Sequence, residues 1–182
     1  YYRGERTSQT DLMAWNADAT RMPYRMHSEY LRRLFLNNDL AQGRYQVEHR
    51  PVALTDIRVP LFAVGTAKDH VAPWRSVYKV ALLTDTQVTF ALTSGGHNAG
   101  IVTPPGHPRR IYQVGRLHDQ EGYIDPDRWR ESAPVHKGSW WPEWQAWLAG
   151  QSGEPVAPPP LGRAEAGYQA REPAPGRYVL QP

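Results

Sequence analysis

Two ionisable side chains stand where acid–base chemistry needs them. Asp69 in GTAKDHVAPW and His97 in LTSGGHNAGIV each follow an apolar, β-branched run by a few residues. In an open parallel sheet, the groups that act on a substrate lie just past the carboxyl ends of the strands. Parallel neighbours about 5 Å apart bring such loops together. Asp69 could then accept the Nδ1–H of His97 and leave the other ring nitrogen as a base, which is the acid and base portion of a nucleophile–His–acid triad.

The third member of such a triad is missing. The chain has no cysteine, and no Gly-x-Ser-x-Gly or Gly-x-Cys-x-Gly turn occurs in it. An acid after one strand and a histidine after the next is also the order that α/β-hydrolases use after their nucleophile, so an elbow would have to lie upstream of Tyr1. The plainer alternative is that Asp69 caps the region of the Pro73 helix while His97 makes a local loop hydrogen bond. His70 is a second candidate base whose position in the loop points it elsewhere. His27, His49, His107, His118 and His136 show no metal-ligand spacing such as H-E-x-x-H, so no metal site is expected. Trp140, Trp141, Trp144 and Trp147 could bind a polymer through exposed faces, but their spacing favours packing. Packing is also the reading for Trp15.

The elements that would position the pair are legible as patterns. Val59–Val64 is a continuous apolar run that suits a strand buried on both faces. Pro73–Leu83 places Trp74, Val77, Tyr78 and Ala81 at helical spacing with proline in the first turn, and Gln87–Thr93 reads as a second strand. Strand, helix and strand in about 35 residues make a βαβ unit with a parallel pair. Upstream, apolar residues from Asp11 to Asn38 predict two helical pieces broken at Pro23. The second, Tyr24–Asn38, should pack its apolar face on the core. Short runs at Tyr45–Val47 and Val52–Leu54 flank a turn at Pro51. After the loop Thr103–Pro108 comes a polar stretch to Gly138. Ser139 is a possible N-cap for a terminal helix to Gly150 that docks Trp140, Trp144, Trp147 and Leu148 on the core. From Gln151 onward seven of the 17 prolines and no apolar periodicity predict an extended tail.

Composition bounds the function. A length of 182 residues allows one compact domain. A formal charge of +3 with dispersed basic residues argues against nucleic acid as a partner. No apolar stretch approaches the roughly 18 to 20 residues of a membrane span. Zero cysteines exclude disulfides and thiolate metal sites within the chain and fit a reducing compartment. A first residue that is not methionine, with no signal-peptide pattern, suggests a fragment.

Taken together, the segments DLMAWNADATRMPYRMHSEYLRRLFLNNDL, GTAKDHVAPW, SGGHNAGIV followed by PPG, HKGSWWPEWQAWLAGQ and EPAPGRYV resemble the C-terminal portion of polyhydroxyalkanoate synthases, closest to the class I type. The resemblance implies an α/β fold: the C-terminal part of an α/β-hydrolase fold, its last parallel strands with flanking helices, over residues 1–150, and an extended Pro-rich tail over residues 151–182. It implies a Cys-His-Asp triad with Asp69 and His97 in the aspartate and histidine positions. Its reaction would polymerise (R)-3-hydroxyacyl-CoA with release of CoA, without cofactors beyond the CoA thioester substrate. The partners it implies are a polyester granule in the cytoplasm and a second copy in a homodimer, with Trp15 near the dimer contact. Without a cysteine, the chain by itself is expected to be inactive. A thioesterase or depolymerase with an upstream serine, and a noncatalytic granule-binding module, are the competing readings.

Overall fold

The computed structural model of the chain describes Met13, residues 21–119, residues 122–173 and Gly176. Apart from Met13, the first helical piece, Trp15 included, lies outside the described residues. Residues up to Trp144 form one compact unit and those from Gln145 a second.

The first unit is built on a four-stranded mixed sheet in the order β3-β4-β5-β8: β3 is Leu61–Thr66, β4 Val88–Thr93, β5 Ile111–Arg116 and β8 Val135–Lys137. β3 and β4 are parallel, with Leu61 opposite Val88 and Thr66 opposite Thr93, as the two apolar runs predict. Between them Pro73 opens α2 (Trp74–Tyr78), which leads into α3 (Val80–Leu83). Trp74, Tyr78 and Ala81 are buried against β3 and β4. Gly65 lets α2 lie this close, because a Cβ there would sit 2.9 Å from the Phe90 ring and 3.0 Å from Trp74 Cβ.

The other half of the sheet departs from the sequence reading. β5 and β8 run antiparallel to their neighbours, and the polar stretch to Gly138, where no sequence pattern marks an element, holds β5, a small hairpin of β6 (His118–Asp119) and β7 (Gly122–Tyr123), and α4 (Pro126–Ser132). The sheet is therefore mixed and not a set of parallel strands. Asp125 starts α4 by accepting the N–H groups of Asp127 (2.9 Å) and Arg128 (3.4 Å), which satisfies donors that the first helical turn leaves free. The helix carries Trp129 into the core, 2% exposed. Its ring packs edge-on against Phe90 and Tyr78, with centroids 5.2 and 5.8 Å apart. Gly115, in the middle of β5, leaves room for that indole: an added Cβ would meet its Nε1 at 3.1 Å.

Two further expectations are corrected. The helix Tyr24–Asn38 forms as α1 (Tyr24–Tyr30) and continues as a π-helical stretch, Leu31–Leu36, ending at Asn38 with φ 51°. None of its residues is buried, and Met26, Leu31 and Phe35 are exposed, so helical periodicity marks a face here but not a core contact. Upstream of β3, the turn lies at Glu48–His49, both with positive φ, between β1 (Gln46–Val47) and β2 (Arg50–Pro51). Pro51 belongs to a strand instead of the turn, as suits a short hairpin whose tightest residues need the left-handed region.

The helix α5 spans Trp141–Gly150 and has no buried residue. Trp140, just before it, carries the burial in its place, stacked on Phe62 of β3 at 6.2 Å. Trp144 stays 42% exposed, so its expected burial on the core does not occur; Leu148, 39% exposed, belongs to the second unit. In the second unit, the Leu148 carbonyl accepts Gln151 N–H at 3.0 Å and Ser152 Oγ–H at 2.8 Å, and a 3-10 turn spans Ala164–Ala166. Among the described residues no helix is long and apolar enough to cross a membrane.

Candidate active site

Register is what brings the two loops together. Thr66 and Thr93, the last residues of β3 and β4, are paired directly, so Asp69 and His97 leave the sheet side by side. Pairing continues past the strands: Ala67 N–H donates to Thr93 O and Lys68 N–H to Gly95 O, both at 2.9 Å. His97 Nδ1 lies 2.9 Å from Asp69 Oδ2. The juxtaposition read from the sequence is thus present in the structure.

Both roles weighed for Asp69 are filled at once, one by each oxygen. Oδ1 accepts the N–H groups of Val71 (2.9 Å) and Ala72 (2.8 Å), capping the turn that leads to Pro73. Oδ2 faces His97 and accepts Thr66 Oγ1–H at 3.3 Å. A carboxylate offers about four lone-pair positions, and four donors occupy them. The Ala72 N–H, with the His97 ring and the Val71 N–H, holds the Asp69 carboxyl down to about 2 against the opposing effect of burial. An ionised carboxylate only accepts, so the hydrogen between it and His97 belongs to Nδ1 and the neutral ring keeps its free lone pair at Nε2. The two side chains differ in access: Asp69 is 6% exposed and His97 48%. A shielded acid behind an open base is the arrangement a substrate-facing general base needs.

This carboxyl carries a prediction with a defined sign. Its ordinary value is 3.8 and its folded value about 2, so the ionised form favours the folded state. That contribution is complete above pH about 4 and is lost as the pH falls through about 2. The Asp69 carboxyl carbon, followed by NMR, is expected to report an ionised group at pH 3; a midpoint at 4 or above would show that the cap and the His97 bond do not form.

Glycines make the approach possible. Gly95 takes φ +119°, and a Cβ there would meet Arg110 Nη1 at 2.6 Å. Gly100 is packed on Thr66, whose Cγ2 would lie 2.5 Å from an added Cβ. The His97 loop therefore rests on the residue that also bonds Asp69. Thr66 and Gly100 carry no role in the sequence pattern, and Thr103 reads only as the start of a loop; the run S-G-G-H-N-A-G, three glycines about one histidine, is the available signal.

The other candidates fall elsewhere. His70 is exposed beside Asp69. His118 packs on Tyr123 and His136 stacks on Tyr112, and among the described residues no group of three His, Cys, Asp or Glu could hold a metal ion. An open cleft of about 690 Å³ is lined by Thr84, Asp85, Gln87, Arg116 and His118 near the start of β4, at the opposite end of that strand from His97. It contains neither member of the pair.

No protein-family model matches the chain. Curated relatives do match it from end to end. The chain is 39% identical to the poly(3-hydroxyalkanoate) polymerase subunit PhaC of Cupriavidus necator over 98% of its own length and 30% of that protein's. Against the poly(3-hydroxyalkanoate) polymerase of Methylorubrum extorquens it is 39% identical over 98% of itself and 29% of the relative. The figures for poly(3-hydroxyalkanoate) polymerase 2 of Ectopseudomonas oleovorans are 35%, 99% and 31%. The chain spans about three tenths of the length of these relatives. Its sequence is thus homologous, over nearly all of its length, to a segment of the poly(3-hydroxyalkanoate) polymerases.

Proposed function

We propose that this chain supplies the acid and base of a polyhydroxyalkanoate synthase, with the cysteine nucleophile contributed by polypeptide outside these 182 residues. The observation that carries the reading is the Asp69–His97 bond at the carboxyl ends of two parallel strands. Two further features support it: the chain has no cysteine of its own, and among the described residues β3 is paired on one side only. In this reading residues 1–150 are the C-terminal part of an α/β-hydrolase domain whose preceding strands join at β3, and residues 151–182 are an extended tail.

His97 Nε2 takes the thiol proton, and the thiolate attacks the carbonyl carbon of an (R)-3-hydroxyacyl-CoA. The bond from that carbon to the CoA sulfur breaks, and CoA leaves with the proton returned by His97. The hydroxyl of a second hydroxyacyl unit then attacks the enzyme thioester, giving up its proton to the same nitrogen; an ester forms as the acyl carbon–sulfur bond breaks, and the cysteine leaves and is reprotonated by His97. Asp69 holds the ring and favours the imidazolium that forms. A carboxyl held near 2 with its four acceptor positions filled is a poor base for a monomer hydroxyl, which favours the orienting role. No cofactor enters this scheme beyond the CoA thioester itself. The enzyme would work in the cytoplasm at the granule surface as a homodimer, with the apolar side chains that α1 exposes available for such contacts.

The test is an assay of the intact polypeptide that contains this chain, supplied with (R)-3-hydroxybutyryl-CoA. CoA release matched by polyester is the expected result. Release matched by free hydroxy acid would instead make it a thioesterase or depolymerase, and granule binding without any CoA release would make it a noncatalytic module.

A further inference from the structure

The His97 loop turns back on itself before it leaves the site. Gly100 N–H donates to Gly96 O at 3.0 Å, and the N–H groups of Ile101 (3.1 Å) and Val102 (2.9 Å) both donate to Asn98 O. Thr103 closes the turn from a fully buried position, its Oγ1–H shared between Ala99 O at 2.8 Å and Gly100 O at 3.1 Å. Two carbonyls of this turn also accept from side chains far along the chain. Ser139 Oγ–H donates to Thr103 O at 2.5 Å, and Trp141 Nε1–H donates to Ile101 O at 3.0 Å.

An anchor works only if it is itself fixed, and this one is. Ser139 is 6% exposed, and its Oγ accepts the backbone N–H of Trp141 at 3.1 Å, as a helix-capping serine does. Between the two, buried Trp140 stacks on Phe62 of β3. Immediately before them, Gly138 N–H donates to Arg110 O at 2.7 Å at the entry to β5. Residues 138–141 are thus fastened to β3 and to the entry of β5, the two strands that flank β4. The imidazole is half exposed, so the backbone of its loop, more than packing around the ring, sets where Nε2 is presented.

We propose that Ser139 and Trp141 are positioning residues for His97, holding the loop 97–103 so that the ring meets Asp69 and directs Nε2 outward. The catalytic consequence rests on the function proposed above; the geometric one does not. Trp141→Phe removes the indole N–H while keeping a smaller aromatic side chain, and Ser139→Ala removes both the loop bond and the cap. Each is to be measured in the intact polymerase for kcat, KM and Tm, and for the rate at which diethylpyrocarbonate modifies His97, read by peptide mass spectrometry.

In Trp141→Phe we expect kcat to fall about threefold to tenfold, the effect of one lost positioning hydrogen bond, with KM and Tm nearly unchanged and a changed modification rate at His97. Ser139→Ala should lower kcat further, and Ser139→Thr, which restores the hydroxyl, should recover it. Wild-type kcat together with a wild-type His97 modification rate in Trp141→Phe would overturn the proposal even if Ser139→Ala failed to fold. Failure of the functional reading looks different: His97→Ala would then retain full CoA release, while His97 reactivity would still change in Trp141→Phe.

Discussion

Replacing His97 by alanine in a polymerase that contains this chain is expected to lower the rate of CoA release by about 10²- to 10⁴-fold, the usual worth of a positioned general base. The loss should fall on kcat, because the ring acts on protons that move only during the reaction. Asp69→Asn should cost less but remain severe. Two backbone N–H groups, from Val71 and Ala72, demand an acceptor at one end of the side chain. The asparagine amide oxygen must therefore face them, which turns its NH2 toward His97. A donor at that place favours the tautomer with the hydrogen on Nε2, so the base is present but in the wrong form. Because the open imidazole still samples the right tautomer, the asparagine variant keeps more activity than His97→Ala. Following CoA release with a thiol reagent checks both, and wild-type rates in the two variants would remove the pair from the mechanism.

The largest effect on stability is expected at Trp129. The indole is almost fully buried and meets Phe90 of β4 and Tyr78 of α2 edge to face, so it joins α4 to the βαβ unit. Tyr78 adds a tie across the same cluster by donating its hydroxyl to Ile124 O at 2.9 Å. Trp129→Ala removes the filling of this joint and leaves a cavity, a change that costs about 3 to 5 kcal/mol. For a domain of this size that corresponds to a fall in Tm on the order of 10 °C. Urea unfolding of the chain followed by tryptophan fluorescence measures it; a loss below about 1 kcal/mol would mean that α4 is not packed as described.

These two residues mark the limits of what the sequence discloses. The site pair is legible because its signal is local: an apolar run ending in glycine or threonine, then a charged or imidazole side chain a few residues on. Parallel pairing with equal register does the rest. Trp129 sits in PDRWRES, a helix of seven residues with one apolar side chain, and so short a segment shows no 3.6-residue period. Its partner strand β5 mixes Ile111, Gln113 and Gly115. Gln113 looks solvent-directed but donates its amide to Arg130 O and Ala133 O, both at 2.7 Å, so a core-facing position is filled by a polar residue that ties β5 to α4. The glycine that would weaken a strand is there to seat the indole.

The opposite error occurs at α1. Its apolar spacing is helical and the helix forms, yet Tyr24 and Met26, and Phe35 in the π-helical stretch that follows, remain exposed, because periodicity states which residues share a face and not what covers it. The hold of Ser139 and Trp141 on the His97 loop leaves no trace in any pattern. Each bond joins a side chain to a carbonyl 36 or 40 residues away, and only the folded chain brings them together.

In the proposed function His97 acts on a nucleophile that lies outside these 182 residues. This is tested most directly by quenching the intact polymerase during turnover of isotope-labelled (R)-3-hydroxybutyryl-CoA and locating the label by peptide mass spectrometry. The expected result is a thioester on a cysteine outside this chain, formed by the wild-type enzyme and nearly absent in His97→Ala. A label on a serine or threonine of this chain, or a cysteine adduct formed as fast in His97→Ala as in the wild type, would contradict it.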